Sequence, residues 1–417
     1  MPYPEPSPQH ICIIGAGATG ALAAYRLVRA GHKVTVLEAR SIGAGATTRS
    51  AACARAQWGS PINVRSMRWS LYRYQQLPAE IGMPDQKMIQ TNGYLYPFFT
   101  AEAQARRQRL FDIQRSSGLS EVHWLEPDQV TERFPHINAA GLLGATFCDI
   151  DGFCFPSTII GNLFDWCKSQ PNFTLVQDSP VQAVERVGAR AIKVVTPKGE
   201  VAADVFVNAT NIWAKRVARL FHTADEREQW WVPLQIEKRY LHFAPRGNEW
   251  NNGQFERLPM TVFPTGAYCR PDGGMLMMGK EHDTPSQEDA SHEDQDKIEI
   301  GCGPNDYGVE VMSDMAQWSD QIANMPAPTT TTAGYYDTTG DHHPCLDYDP
   351  FVDNLIHACG MSGHGIMGAP FNAEVVASLI KEGHNAAPVM TLDGEEFDLL
   401  PFVLGKHRTN MMDPTHL

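Results

Sequence analysis

The stretch ICII (Ile11–Ile14), followed at once by Gly15-Ala16-Gly17-Ala18-Thr19-Gly20 and then by ALAAYRLVRAG, leaves the N-terminal region few ways to fold. A short apolar strand runs into a tight glycine turn and then into a helix. Gly15 permits the turn, Gly17 lets backbone approach a pyrophosphate, and Gly20 allows the helix to pack closely on the strand. The helix N-terminus favours phosphate charge. A second strand, KVTVLE, ends in Glu38, eighteen residues after Gly20, where a carboxylate can accept a ribose hydroxyl pair and disfavours a 2'-phosphate. Strand, turn, helix, second strand and acid together predict an adenine dinucleotide site in a doubly wound α/β sheet.

The fingerprint alone does not separate NAD from FAD, so the remainder of the chain has to decide. Glu38-Ala39-Arg40 leads into a second small-residue loop, SIGAGATTRSAA (Ser41–Ala52), where an NAD domain would continue to alternate strands and helices. DVFVNATNIWA (Asp204–Ala214) is a later apolar strand running into a small polar loop. The segments before it read as short strands with a Pro-Lys-Gly turn, a meander inserted between parallel strands. ACGMSGHGIMGAP (Ala358–Pro370) places four glycines and a histidine between the apolar strand LIHAC and the helical pattern PFNAEVVASLIKEG.

Composition excludes other classes. With 417 residues the chain is long enough for two or three structural units, and no apolar run approaches the roughly 20 residues of a membrane span. The start MPYPEPSPQH lacks the basic and apolar regions of a secretory signal, so a cytoplasmic location is expected. A formal charge of -14 disfavours nucleic acid and anionic lipid as partners. Nine scattered cysteines without a CxxC pair signal neither zinc nor a disulfide framework. Asp341-His342-His343-x-Cys345 is ligand-like, but adjacent histidines in an extended segment point opposite ways, so no metal site is expected and Asp341 and His342 are read as ordering a loop. The acidic run Glu281–Asp296 reads as a solvated loop, with metal binding there a minor alternative.

These motifs, taken with YCRPDGGMLMMG (Tyr268–Gly279), AGYYDTTGDHHP (Ala333–Pro344) and DLLPFVLGKHR, resemble in family order the FAD-dependent amine and amino-acid oxidoreductases of the D-amino-acid oxidase superfamily, which holds sarcosine oxidase, glycine oxidase and dimethylglycine dehydrogenase. The resemblance implies a discontinuous Rossmann-like FAD-binding domain over 1–61, 141–219 and 334–417. An α+β substrate-binding domain on a mixed or antiparallel sheet would take 62–140 and 220–333. It implies cofactor contacts from Gly15, Gly17, Ala18, Thr19, Gly20, Glu38, Ala39, Arg40, Ala46, Thr47, Thr48, Val181, Ala209 and Thr210, and from the turn Gly363, His364, Gly365, Ile366 and Met367. The implied reaction oxidises a C–N bond of an amine or N-substituted, sarcosine-like amino acid by hydride transfer to flavin N5, giving an imine that hydrolyses. The glycines of the 358–370 turn would let backbone amides and a helix dipole meet the flavin's pyrimidine edge. His364 would hydrogen bond the flavin or hold the loop.

Substrate residues follow the resemblance less closely. Arg55 falls where sarcosine oxidase has a carboxylate-binding arginine, and Arg270 is the runner-up anchor. Met367 stands where that enzyme has a second cation. Tyr336 stands where glycine oxidase has its arginine, which disfavours a primary amino acid held in that enzyme's way. The lysine that promotes oxygen reduction in sarcosine oxidase is replaced by Met277, so either Lys280 substitutes or the enzyme is a dehydrogenase with a protein acceptor. The covalent-linkage position falls at Gly334, so the FAD is expected to be non-covalent. Trp230 and Trp231, with Tyr240 and Phe243, could wall a hydrophobic pocket. A flavoprotein subunit passing electrons to a partner, a primary amino-acid oxidase and an NAD-binding protein without redox turnover stay open as alternatives, as does the oligomeric state.

Overall fold

A computed structural model describes residues 7–229, 234–248, 250, 253–280, 297, 307–385 and 387–404. The acidic run 281–296, Trp230 and Trp231 lie outside the described residues, as does the end of the DLLPFVLGKHR motif. The first strand, His10–Ile14, is buried from Ile11 onward and pairs in parallel with Lys33–Leu37 on one side and Val205–Asn208 on the other. Its near-continuous apolar run is what a parallel strand covered on both faces requires. Six strands make this sheet, in the order Cys345–Tyr348, Leu355–Cys359, Val205–Asn208, His10–Ile14, Lys33–Leu37, Phe173–Val176. All pairs are parallel except that of the Cys345 and Leu355 strands. The expected meander is present as the antiparallel strands Ala183–Val187, Arg190–Thr196 and Gly199–Ala202.

Helix Ala18–Arg29 lies on the six-stranded sheet beside the helices Pro156–Lys168 and Gly365–Glu382. Its buried residues include Ala21, Leu22, Ala23 and Ala24, small enough on balance for close packing, and Arg26 ties it to Glu374 at 2.7 Å. The second sheet has eight strands, ordered Thr330–Thr338, Gln235–Pro245, Met275–Gly279, Tyr268–Asp272, Met260–Val262, Tyr94–Phe98, Gly144–Cys148, Val122–Leu125. It is antiparallel except where Met260–Val262 meets Tyr94–Phe98. The α/β class, with a Rossmann-like unit beside a mixed sheet, is therefore as expected.

Boundaries along the chain differ from the expected ones in three places. Strand Gly144–Cys148 pairs with Tyr94–Phe98 in the eight-stranded sheet, although 141–219 was expected to belong wholly to the cofactor unit. Strand Thr330–Thr338 stays in the same sheet past residue 334 because it forms a long ladder with Gln235–Phe243. Helix Pro61–Glu80 packs on helix Gly365–Glu382, with Tyr74 donating its hydroxyl to Ile366 O at 2.5 Å and Ser70 Oγ accepting from Phe371 N at 3.2 Å. Its apolar face, Met67, Leu71 and Tyr74, joins the core of the six-stranded sheet. Residue ranges read from motifs did not register that face. Among the described residues no helix is long and apolar enough to cross a membrane.

Gly20 permits the tightest of these contacts in the opening βαβ unit, since a Cβ there would lie 2.0 Å from Gly15 O. Gly20→Ala is expected to destabilise the FAD-free protein by about 1–3 kcal/mol through overpacking. Gly161→Ala, in helix Pro156–Lys168 with nothing within 4 Å of the added atom, is expected to be neutral or to stabilise by about 0.5–1 kcal/mol. Chemical unfolding of both variants checks the pair, and equal effects would show that the Gly20 contact is not tight.

Candidate cofactor and substrate site

One cavity of about 400 Å3 runs along the C-terminal ends of the parallel strands. Gly15, at φ +107°, carries the turn, and a Cβ there would sit 2.5 Å from Ala209 O. Gly17 caps helix Ala18–Arg29 without a side-chain hydrogen bond, while Thr47 Oγ1 accepts from Ala18 N at 3.1 Å. Glu38 accepts from Ala16 N at 2.8 Å and from Arg40 N at 2.9 Å, one amide on each carboxylate oxygen. A carboxylate has about four acceptor positions, so capacity for hydroxyls remains. At the far end Gly363, at φ +80°, lies so close to Tyr336 that a Cβ would meet the ring at 2.6 Å. Gly365 and Ile366 begin the helix Gly365–Glu382 and line the same cavity. Two helix N-termini, whose first-turn amides have no acceptor within their own helix, thus face one space.

Of the cofactor residues expected from sequence, Gly15, Gly17, Ala18, Thr19, Glu38, Ala39, Arg40, Ala46, Thr47, Val181, Ala209, Thr210, Gly363, Gly365 and Ile366 line the cavity. Four do not. Gly20 packs on the turn behind it, and Thr48 donates its hydroxyl to Gly43 O at 2.9 Å. His364 turns its ring to the edge of Trp58, centroids 4.2 Å apart, and Met367 is buried in the core behind the helix. Residues 364 and 367 share the helix face opposite the cavity, because they stand three positions apart on a 3.6-residue turn.

The candidate substrate residues separate further. Tyr336 lines the cavity and also a neighbouring cleft of about 10 Å3, room for one water, whose lining includes Arg49, Arg239, Tyr268 and Leu241. Arg55 lines neither: its guanidinium stacks 3.8 Å over Trp58 and its Nη1 donates to the Tyr96 hydroxyl. Arg270 is buried, with Nε donating to Ala51 O and Nη1 to Pro271 O and Asp272 Oδ1, all at 2.9 Å, and it is a structural cation rather than an anchor. Lys280 pairs with Asp314 at 2.5 Å, and Met277 is fully buried between Ala51 and Leu241. Asp341 Oδ1 accepts from His343 N at 3.2 Å and Thr339 Oγ1 at 3.3 Å within its own loop.

Sequence reasoning missed Arg49, Arg239, Asn211, Arg216 and Asp337, all of which line these spaces. A signal existed for two. Arg239 falls with Gln235 and Glu237 on the less buried face of an alternating strand, and Asp337 is an acid directly after the apolar stretch AGYY. Asp337 is buried, accepting from Gly360 N at 2.6 Å and Asn211 Nδ2 at 2.7 Å. Arg40 Nε and Asn211 Oδ1 are buried on the cavity without a partner among the described residues, which fits a polar, phosphate- and ring-bearing cofactor.

Sheet order, glycine turn and paired helix starts define a dinucleotide-binding fold. Residues 10–379 match the DAO family, described as FAD dependent oxidoreductase, and the chain belongs to that family. It is therefore FAD-dependent. FAD-dependent oxidoreductase domain-containing protein 1 of Xenopus laevis is 26% identical over 421 residues, covering 91% of this chain and 80% of the relative. Glycine oxidase of Bacillus licheniformis is 25% identical, over 88% of this chain and 92% of its own. L-proline dehydrogenase from P. horikoshii superposes with a TM-score of 0.79 at 24% identity, covering 95% of this chain and 98% of that one.

Burial pushes the Asp337 carboxyl up to about 7, against the pull of the Gly360 and Met361 amides, and burial does the same at Asp151. Both folded-state values lie above the unfolded ones, so their stabilising contribution is full below about pH 4 and is lost progressively up to about pH 7. Each group then contributes a fall of at most about 1.4 kcal/mol per pH unit across that window. Asp337→Asn is expected to reduce the decline in FAD-free stability between pH 5 and 7, and Asn211 can turn its amide to meet the new donor. Unfolding midpoints across that range check it, and an unchanged slope would place the Asp337 titration elsewhere.

Proposed function

We propose that the chain oxidises a C–N bond of a carboxylate-bearing amine, with the carboxylate in the cavity and turned toward Arg49 and Arg239 rather than held by Arg55. The observation that carries this reading is that Tyr335, Tyr336, Ala46 and Ser50 line both the cavity and the cleft that holds the two arginines. Arg239 lies 5.4 Å from the Tyr336 ring, its side chain only 14% exposed, and donates Nη2 to Glu237 at 2.5 Å. A low-dielectric guanidinium is a strong partner for a carboxylate. Bound FAD supplies the two-electron oxidation.

The chain's own groups divide the remaining work. Tyr336 and Tyr268 position the substrate between the cleft and the cofactor face. The start of helix Gly365–Glu382, with the glycine turn before it, offers amides and the positive end of a dipole to negative charge at the cofactor's edge. Glu38, Arg40 and the start of helix Ala18–Arg29 hold the ribose and phosphates. No cysteine or histidine is among the lining residues described, which supports non-covalent FAD. The division into a cofactor unit and a substrate unit follows the two sheets. The relatives' names, glycine oxidase and L-proline dehydrogenase, fit primary and secondary amino acids respectively. Tyr336 in place of an arginine supports the secondary, N-substituted class.

The residues around the site favour an acceptor other than oxygen. Met277 fills the position where a sarcosine oxidase has its cation, and Lys280 is tied to Asp314 outside the lining of either space. A dehydrogenase passing electrons to a partner protein fits this arrangement better than an oxidase.

Arg239→Met is expected to raise KM for carboxylated amines about 10- to 150-fold, the worth of one hydrogen bond to a charged group, while decarboxylated analogues change little. Steady-state assays with an artificial acceptor read the difference, and equal changes for both substrate types would remove the anchoring role. Substrate is also expected to bleach the flavin quickly with slow return of colour in air; rapid peroxide release would make the enzyme an oxidase. Acid precipitation should leave the yellow colour in the supernatant, and colour in the pellet would mean a covalent link.

A further inference from the structure

Asn211 carries its backbone at φ +54°, a left-handed conformation that strains most side chains and that asparagine tolerates better than most. It follows strand Val205–Asn208, which lies between the strands His10–Ile14 and Leu355–Cys359 in the six-stranded sheet. The loop that holds it therefore stands between the Gly15 turn, which leads to the first helix start, and the Gly360 turn, which leads to the second. Thr210 and Asn211 both line the cavity there.

The polarity of these two side chains is set from behind. Asp337 Oδ2 accepts from Gly360 N at 2.6 Å, which leaves Oδ1 to accept from Asn211 Nδ2 at 2.7 Å. An ionised carboxylate can only accept, so it takes the amino end of the amide and turns Asn211 Oδ1 away from itself. That oxygen is buried on the cavity without a partner among the described residues. Thr210 is polarised in the same sense. Asn208 Nδ2 donates to Ala214 O at 2.8 Å, and Asn208 Oδ1 accepts the Thr210 hydroxyl at 2.6 Å. With its proton committed, Thr210 Oγ1 can offer a ligand only lone pairs.

Two adjacent acceptors between two helix starts restrict what can lie against them. Phosphate oxygens suit the helix starts but bring no donor to an amide or hydroxyl oxygen. A buried acceptor left unmet is costly, so the segment here must be rich in O–H groups, between the anionic part of the ligand and its electron-accepting ring. The ribityl chain of FAD is such a segment.

We propose that Asn211 Oδ1 and Thr210 Oγ1 accept hydrogen bonds from two hydroxyls of the FAD ribityl chain, with Asp337 as the residue that positions Asn211. Because Asp337 also holds the Gly360 turn, one carboxylate links the polyol to the turn that leads into helix Gly365–Glu382. Neither substrate nor acceptor enters: the same cradle would serve an oxidase or a dehydrogenase.

The test uses the full chain stripped of FAD, together with FAD and its analogues lacking the 2', 3' or 4' ribityl hydroxyl. At pH 8 Asp337, which burial pushes up to about 7, is largely ionised. Quenching of flavin fluorescence reads the dissociation constants. Wild type is expected to bind two of the three analogues about 3- to 10-fold more weakly than FAD. Asn211→Gly keeps the left-handed backbone accessible; it should lose a similar factor for FAD and no longer distinguish FAD from one of those analogues. Thr210→Val should do the same for the other. Asp337→Asn, whose oxygen keeps the Gly360 amide, presents its amino group to Asn211 and turns that amide round. It should weaken FAD in the wild-type background and have little effect in Asn211→Gly; equal weakening in both would remove the positioning role. Wild type that binds all three analogues as tightly as FAD would overturn the proposal whatever the variants do. So would an Asn211→Gly that weakens FAD and every analogue by one common factor, the mark of a loosened turn.

Discussion

The structure depends first on backbone passing backbone where side chains cannot fit. A Cβ added at Gly15 would lie 2.5 Å from Ala209 O, and one added at Gly20 would lie 2.0 Å from Gly15 O. These two contacts hold three parallel strands and one helix in a geometry that leaves the first amides of helix Ala18–Arg29 facing open space. A larger residue at either place would push the helix off the sheet and turn its dipole away from the phosphates. At the other end of the cavity Gly363 does comparable work against Tyr336, bringing a second helix start to the same space. The cofactor cavity is the region bounded by these close approaches.

From that frame the polar interior follows. Asp337 sits at the end of a strand of the eight-stranded sheet but accepts hydrogen bonds from Gly360, in the turn after a strand of the six-stranded sheet, and from Asn211. It fastens the two sheets where the cavity passes between them. A carboxyl shared this way and kept from water is held near neutrality, so the fastening is an uncharged one over much of the acid range. Asp349 shows the opposite outcome: it is equally buried, yet His222 at 2.7 Å and His357 at 2.9 Å hold it well below the usual carboxylate range in spite of burial.

Local backbone chemistry was legible in the sequence, and long-range side-chain placement was not. The glycine turn, the paired strands, the meander and the helix after Gly363 follow from residue patterns within about thirty positions, where steric rules act directly. The helix face presented by residues 364 and 367 was misread for a local reason: a motif names consecutive residues, while a helix splits them between two faces. The unit boundaries and the arginines were out of reach for a different reason. Arg239 reaches the cleft because its strand pairs with Thr330–Thr338, about a hundred residues later, with Arg239 opposite Gly334. Arg270 has the same composition around it as a ligand residue would, and only the fold shows that Ala51 O and Asp272 already occupy it.

The three arginine environments differ in what the protein supplies to the cation, and that difference orders their functions. Arg270 is enclosed and satisfied by two carbonyls and a carboxylate, so it stabilises the strand that carries it. Arg239 is steadied by Glu237 from the same strand while its fork borders the cleft, the condition of a pre-aimed anchor that loses little freedom on binding. Arg55 and Arg107 receive aromatic faces and a hydroxyl but no carboxylate from the described residues. An aromatic face offsets only part of the cost of removing a guanidinium from water, about 0.5–2 kcal/mol. Gln57 O, 3.3 Å from Arg55 Nη1, offsets a further part, so Arg55 is held by the fold and Arg239 is the arginine that borders the cleft.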